Sequence, residues 1–276
     1  MNQAQTHPET VQVGGTLVME VATPASVVLQ IAVARPPGAV LGERLEIVNN
    51  EVPVSADEIA TAVGGRSHLI RLRPGTLTVT YQATSTARGV TPAPVGDAER
   101  VEALRPSRYC PSDRLAGFAR SHFGGESTAD QRVRAIREYV WENLAYASGS
   151  SGPTTDAVDT LLAGEGVCRD FAHVVAALCR AVDVPARVAA VYAPGLSPMD
   201  FHAVVETELD GQWQLWDATR LAPRQSMVRI ATGRDAADIA FSTVLSGQVT
   251  LEHLEIVAVA DGELPRDEHQ GRVALA

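Results

Sequence analysis

Over the first 95 residues, apolar side chains come in short β-branched runs broken by turn residues. Val27–Val33 (VVLQIAV), Leu45–Val48, His68–Leu72 and Leu77–Ala83 (LTVTYQA) predict strands. Pro36-Pro37-Gly38, Gly64-Gly65 and Pro74-Gly75 punctuate them. The spacing predicts a small antiparallel β domain over residues 1–95. Ala87 to Arg105, which contains Pro92, Pro94 and Gly96, reads as a linker.

Beyond it the apolar period lengthens. Ser112–Phe123 places Leu115, Phe118 and Ala119 on one helical face and stops at Gly124-Gly125. Thr128 and Gln131 have capping-box spacing, with Val133, Ile136, Val140 and Leu144 following at helical intervals. A short helix is expected over Ala157–Ala163, ending at Gly164. Another starts near Gly166, carries Val167, Phe171, Val174, Val175, Leu178 and Val182, and stops before Pro185. The period then falls to two: Arg187–Ala193, Ala203–Leu209 and Gln212–Ala218 read as strands, with Asp210-Gly211 as a hairpin turn. A further apolar stretch, Leu254–Val259, is expected to close this sheet. The pattern therefore divides the chain into a β-rich domain (1–95), an α+β core (96–260) and a loose polar tail (261–276).

Composition narrows the chemistry. All 23 basic side chains are arginine, so there is no lysine for a P-loop, a Schiff base or a kinase-type phosphate clamp. A net charge of −10 argues against nonspecific nucleic-acid binding, and no apolar run reaches the ~18–20 residues of a membrane helix. Three cysteines and an N-terminus without a basic or apolar segment fit a reducing, cytoplasmic location.

Cys168 stands out by position. It falls at the first turn of a predicted helix, straight after Gly164 and Gly166, where unpaired amides and the helix dipole favour a thiolate and an adjacent oxyanion. A two-residue turn at Asp210-Gly211 would set His202 opposite Thr219 and Asp217 opposite Val204. His202 and Asp217 then become diagonal neighbours on one face. A carboxylate on one imidazole nitrogen frees the other to act as a base. A buried structural cysteine remains the alternative for Cys168.

These residues resemble a known family. Gly166-Val167-Cys168-Arg169-Asp170-Phe171-Ala172-His173, Val184-Pro185-Ala186-Arg187, Phe201-His202-Ala203 and Trp216-Asp217-Ala218-Thr219 look like the bacterial transglutaminase-like family of the papain-like cysteine-enzyme superfamily. Pro106-Ser107-Arg108-Tyr109-Cys110-Pro111-Ser112-Asp113 resembles the segment leading into that core. The resemblance spans Arg105 to Gly247 and implies an α+β fold in which a nucleophile helix packs on an antiparallel sheet. It implies a catalytic triad of Cys168, His202 and Asp217, the set reached from the residues. It also implies acyl transfer from glutamine to amines, its hydrolytic version, or peptide-bond hydrolysis, with no cofactor.

The expected partners are peptide or protein substrates and a small amine acceptor, with neither nucleic acid nor membrane. A cysteine peptidase and an idle-triad binding module are the alternative readings. Two positions depart from the family pattern: Val204 stands where tryptophan is usual and Ala218 where proline is usual. Trp141 and Tyr146 are the nearest upstream aromatics for a second oxyanion donor, and Trp141 reads as a core helix residue. Cys110 and Cys179 read as structural, and His173 as pointing away from the Cys168 face. Cys168, His173 and Cys179 fit no zinc spacing, and no calcium loop is evident. Arg169 and Asp170, adjacent on a helix, are not expected to face one another, and either brace the site from separate sides or lie solvated at the surface. Arg234-Asp235 receives no role.

Overall fold

The computed structural model describes residues 10–35, 40–61, 65–86 and 94–275. Pro36-Pro37-Gly38, Gly64 and part of the linker at 87–93 lie outside them. Seven strands come first: β1 Val11–Val21, β2 Ala25–Leu29, β3 Val40–Asn49, β4 Val52–Pro53, β5 Asp57–Ala60, β6 Arg66–Leu72 and β7 Gly75–Thr86. Their inward positions alternate with exposed ones, as in β6 and β1, and Leu17, Val27, Ile70, Leu77 and Val79 are fully buried.

The linker contains a short helix, α1 Asp97–Ala103. Its start is stabilised by Glu99, whose carboxylate accepts from the Gly96 amide at 3.1 Å. Then follow α2 Ser112–Phe123, α3 Ala129–Asn143, β8 Ala145–Tyr146, α4 Ala157–Ala163, β9 Glu165–Gly166 and α5 Cys168–Ala181. Next come β10 Ala186–Tyr192, β11 Phe201–Leu209, β12 Gln212–Trp216 and β13 Val228–Gly233, then α6 Ala236–Ile239, β14 Ser242–Ser246 and β15 Val249–Ala260. The core sheet is antiparallel, in the order β12-β11-β10-β13. Helix α5 is buried from Asp170 to Ala181 because it lies under α2, α3 and α4 and against β10 and β11.

Two expectations change. The stretch Leu254–Val259 belongs to β15, and β15 pairs with β1 rather than with the core sheet. The first domain is thus a pair of sheets ordered β15-β1-β7-β3-β4 and β14-β2-β6-β5, each completed by a strand from beyond the core. Alternation along a strand says which face is buried but not which edge it joins. The tail is also docked rather than loose. Val273 and Leu275 are buried with Val191, Val204 and Leu215 on the outer sheet face, and the Leu215 amide donates to the Val273 carbonyl at 2.6 Å. Asp267 accepts two bonds from the buried Arg224 guanidinium at 2.8 and 2.9 Å. Two apolar side chains and one buried ion pair anchor a segment whose overall composition is polar.

The sandwich and the core share one hydrophobic cluster. The Tyr192 hydroxyl donates to the Ile31 carbonyl at 2.8 Å, and the Ala34 amide donates to the Arg229 carbonyl at 2.8 Å. The α+β core fold and the preceding β-rich domain follow the sequence reading.

Candidate active site

The segment before α5 fixes where Cys168 lies. Gly164 ends α4 in the left-handed region (φ 73°), which glycine tolerates without strain. Gly166 cannot carry a side chain, because a Cβ there would sit 2.7 Å from Cβ of Asp170. The N-cap, Val167, offers no side-chain acceptor, but Asp170 reaches back to accept from the Val167 amide at 2.9 Å. The amides of Asp170 and Phe171 donate to the Val167 carbonyl. Cys168 therefore occupies the first helical position, partly exposed, with its own amide among the groups the helix leaves unpaired.

The hairpin forms as its turn residues require. Leu209 faces Gln212, and Asp210 and Gly211 have φ of 55° and 79°, the conformation of a tight primed turn. The ladder runs to Val205 opposite Trp216, and β12 ends there. Asp217 lies one residue on, and His202 Nε2 donates to Asp217 Oδ2 at 2.9 Å. Both side chains are buried. Thr219 holds the other carboxylate oxygen through its amide at 2.8 Å and its hydroxyl at 2.7 Å.

Burial works against charge on both partners, yet each keeps the other ionised. Desolvation lowers the His202 pKa, but the charge and hydrogen bond of Asp217, with Cys168 close by, raise it overall. Burial pushes Asp217 up, but the imidazole and Thr219 pull it below the ordinary carboxylate value. His202 Nδ1 is buried and has no bonded partner of good geometry. The nearby sulfur acts on the ring, so Cys168 lies within reach but not in bonding alignment in this state.

Tyr146, left open between two aromatics by the sequence, lies at this site. Strand β8 pairs in parallel with β9, which sets Tyr146 opposite Gly166, and Ala147 donates to the Gly166 carbonyl at 2.9 Å. The Tyr146 phenol lies close enough to Cys168 for the two to influence one another. Burial, and then the Cys168 charge, raise its pKa to about 12, so the phenol remains a donor at neutral pH. Trp141 is not a core residue: it is 43% exposed, with the Arg220 guanidinium 4.7 Å from its ring centroid.

Arg169 and Asp170 do meet, contrary to the helical-spacing argument, because in the first turn the Arg169 side chain folds back toward the preceding loop. Its Nε lies 3.1 Å from Asp170 Oδ1, and its Nη2 donates to Ser151 Oγ at 2.8 Å and to the Gly152 carbonyl at 3.2 Å. Ser151 Oγ in turn donates to the fully buried Asp170. Ser151 was not singled out by the sequence, since it lies in a Ser/Gly-rich stretch that looks like plain loop. His173 is buried, its ring stacked on Tyr109, with Nε2 accepting from the Ala236 amide at 3.1 Å. Cys110 and Cys179 are fully buried. Asp235 caps α6 and accepts from the Tyr109 amide at 3.0 Å, and Arg234 pairs with Asp238 at 2.9 Å.

The family model of the transglutaminase-like superfamily matches residues 116–218, from within α2 to just past Asp217. A solved structure of a candidate cysteine protease from Cytophaga hutchinsonii is 30% identical, with a TM-score of 0.87 over 99% of both chains. The periplasmic domain of TgpA from Pseudomonas aeruginosa is 19% identical, with a TM-score of 0.43 over 79% of this chain and 92% of its own. An uncharacterized protein of Mycobacterium leprae is 23% identical over 150 residues, 50% of this chain. That match spans about half the length of the relative, 53%. The full-length likeness at this identity, with the family match lying across α5 and strands β10 to β12, makes the chain a member of the transglutaminase-like superfamily.

Proposed function

We propose that the protein is a thiol-dependent enzyme that forms a thioester between Cys168 and the acyl group of a peptide or protein amide, then passes it to an amine or to water. The observation that carries this is the buried His202–Asp217 pair at 2.9 Å beside a partly exposed cysteine at a helix start.

In the proposed sequence the Cys168 thiolate attacks the amide carbonyl carbon, forming a C–S bond and a tetrahedral oxyanion. In this reading the Cys168 amide and the nearby Tyr146 hydroxyl donate to that charge. His202, protonated and held by Asp217, gives its Nδ1 proton to the departing amine as the C–N bond breaks. The incoming amine or water then loses a proton to His202 as it attacks the thioester, and the thiolate leaves. Thr219 positions the carboxylate and touches no reacting atom.

The likeness to a candidate cysteine protease supports a second reading, in which the amide cleaved lies in a peptide backbone. Both readings share the thioester and differ in what reaches it. Incubation with a glutamine-bearing peptide and a labelled primary amine separates them: incorporation of label supports transfer, and backbone cleavage supports the peptidase. Either activity should vanish in Cys168→Ala and persist in Cys179→Ala. Equal loss in both variants would refute the assignment.

A further inference from the structure

Strand β12 stands at the edge of the core sheet, is five residues long, and its pairing with β11 ends at Trp216. Asp217 is the next residue, so the ladder that aligns β12 does not hold the main chain bearing the carboxylate. Thr219 bonds that carboxylate but sits on the same turn and moves with it. An unsupported strand end at a sheet edge is prone to fray. Yet Asp217 is held 2.9 Å from His202.

Residues 267–273 brace this turn from two directions. Before it, the Leu215 amide donates to the Val273 carbonyl at 2.6 Å, and the Leu215 carbonyl accepts from Arg224 Nη1 at 2.9 Å. Both main-chain polar groups of a residue two before Asp217 are thus bonded off the sheet. The buried Arg224 is gripped in turn by the same segment. Asp267 accepts from its Nε, Nη2 and amide at 2.8, 2.9 and 3.0 Å, and the Gly271 carbonyl accepts from Nη2 at 3.1 Å. After the turn, Arg220 Nη2 donates to Glu138, which also accepts from Arg137 Nη2 at 2.9 Å. Arg137 is buried too, and its Nη1 donates to the His269 carbonyl. Burying two guanidinium groups is costly unless partners offset it. Here the offsetting partners link one segment to the residues two before and three after Asp217. A segment docked by apolar contact alone would need neither link.

We infer that residues 267–273 are a positioning element of the proposed active site. They hold Asp217 in bonding distance of His202 through Arg224 on one side and through Arg137, Glu138 and Arg220 on the other. None of these groups touches a reacting atom. The inference rests on the reading of Cys168, His202 and Asp217 as the reacting set, and its test lets the two fail separately.

Two readouts are taken on the full chain. One is the low-field imidazole N–H proton resonance of His202, in protein carrying isotope-labelled histidine, assigned by its loss in His202→Gln. The other is the rate at which iodoacetamide alkylates Cys168 at pH 7, with Cys168→Ala as the blank and Cys110 and Cys179 buried. Val79→Ala, a deletion in the sandwich core, is the destabilised control. The resonance should shift or broaden in Asp267→Asn and Arg224→Gln and stay in place in Val79→Ala. Alkylation should slow about three- to tenfold in the first two variants. The ceiling is roughly thirtyfold, because an ordinary thiol is still a few per cent ionised at pH 7. In an Asp217→Asn background, Asp267→Asn should slow alkylation no further, since the segment acts through that carboxylate. A resonance unmoved in both variants, or moved equally in Val79→Ala, overturns the inference. So does a full loss from Asp267→Asn in the Asp217→Asn background. Parent alkylation at the rate of an ordinary thiol, with the resonance still displaced by Asp267→Asn, counts against the nucleophile reading alone.

Discussion

At the scale of single residues the proposed mechanism rests on three ionisable groups and one phenol. Replacing Tyr146 by Phe removes the proposed oxyanion donor without removing the ring. The expected outcome is a fall in kcat of about 10²–10³ with KM nearly unchanged, measured with any turned-over amide. A matching rise in KM with kcat intact would assign Tyr146 to substrate binding instead.

The His202–Asp217 pair makes a second prediction. The folded pKa of His202 lies above its unfolded value of ~6.5, so its stabilising contribution is complete below that pH and is lost as pH rises through the folded pKa. Asp217 is held low, so its contribution is complete above ~3.9 and is lost as pH falls through its folded value. Asp217→Ala should therefore destabilise by about 3–5 kcal/mol, with the gap widest between roughly pH 4 and 6.5, as followed by chemical denaturation across pH. Cys168, His202 and Asp217 could be read from the sequence because a helix start and a hairpin register place them with few assumptions. Tyr146 could not, because a two-residue parallel bridge sets its position and leaves no periodic trace.

At the scale of elements, α5 and the loop before α4 act together. Asp170 closes the start of the helix through Val167 and also holds Ser151, while Arg169 binds both Ser151 and Gly152. That network fastens the chain just after Tyr146 to the turn that bears Cys168. Asp170→Ala removes the carboxylate partner of Arg169 and the acceptor of the Val167 amide. Destabilisation of about 2–4 kcal/mol is expected, along with faster proteolysis between Ser148 and Thr155. Loss of stability without local cleavage would mean that the loop is held by other contacts. Helices α2 and α4 match their predicted spans, since caps and apolar stripes are local signals. Helix α1 went unseen within a proline- and glycine-bearing linker. The Arg169–Asp170 pair also went unseen, because interior helical spacing does not describe a first turn with a loop folded over it.

At the scale of the whole molecule, the chain leaves the β-rich domain, builds the core and returns. Strands β14 and β15 complete the two sheets of the sandwich, and the tail then crosses the outer face of the core sheet. The apolar pattern divides the chain into a β-rich domain and an α+β core, but the closing edges depend on long-range pairing that alternation cannot specify. Asp267 is the tail's main anchor. Its pKa is held far below the usual carboxylate value against the cost of burial, through hydrogen bonds from Arg224 and its charge. The stability it contributes is therefore present above ~3.9 and is lost as pH falls through that depressed value. Asp267→Asn should cost about 2–4 kcal/mol at neutral pH and expose the tail to protease, with amide exchange at Leu215 accelerating. A tail that stays protected in this variant would place its anchorage in its other contacts, the buried Val273 and Leu275 and the ion pairs of Arg272 among them.

The protein's lack of lysine sets a further limit at this scale. Copies of the chain cannot be joined through glutamyl–lysine bonds, so in the proposed transfer to an amine the acceptor would come from another molecule or from an N-terminus.

The most direct test of the central claim needs no natural substrate. A brief incubation with p-nitrophenyl acetate, quenched in acid and read by intact and peptide mass, reports which atom takes the acyl group. The account predicts one acetyl group on Cys168, none there in Cys168→Ala, and acylation slowed about 10²–10⁴-fold in His202→Ala. Acetylation at the same rate in His202→Ala, or rapid acetylation of a side chain other than Cys168, would contradict it.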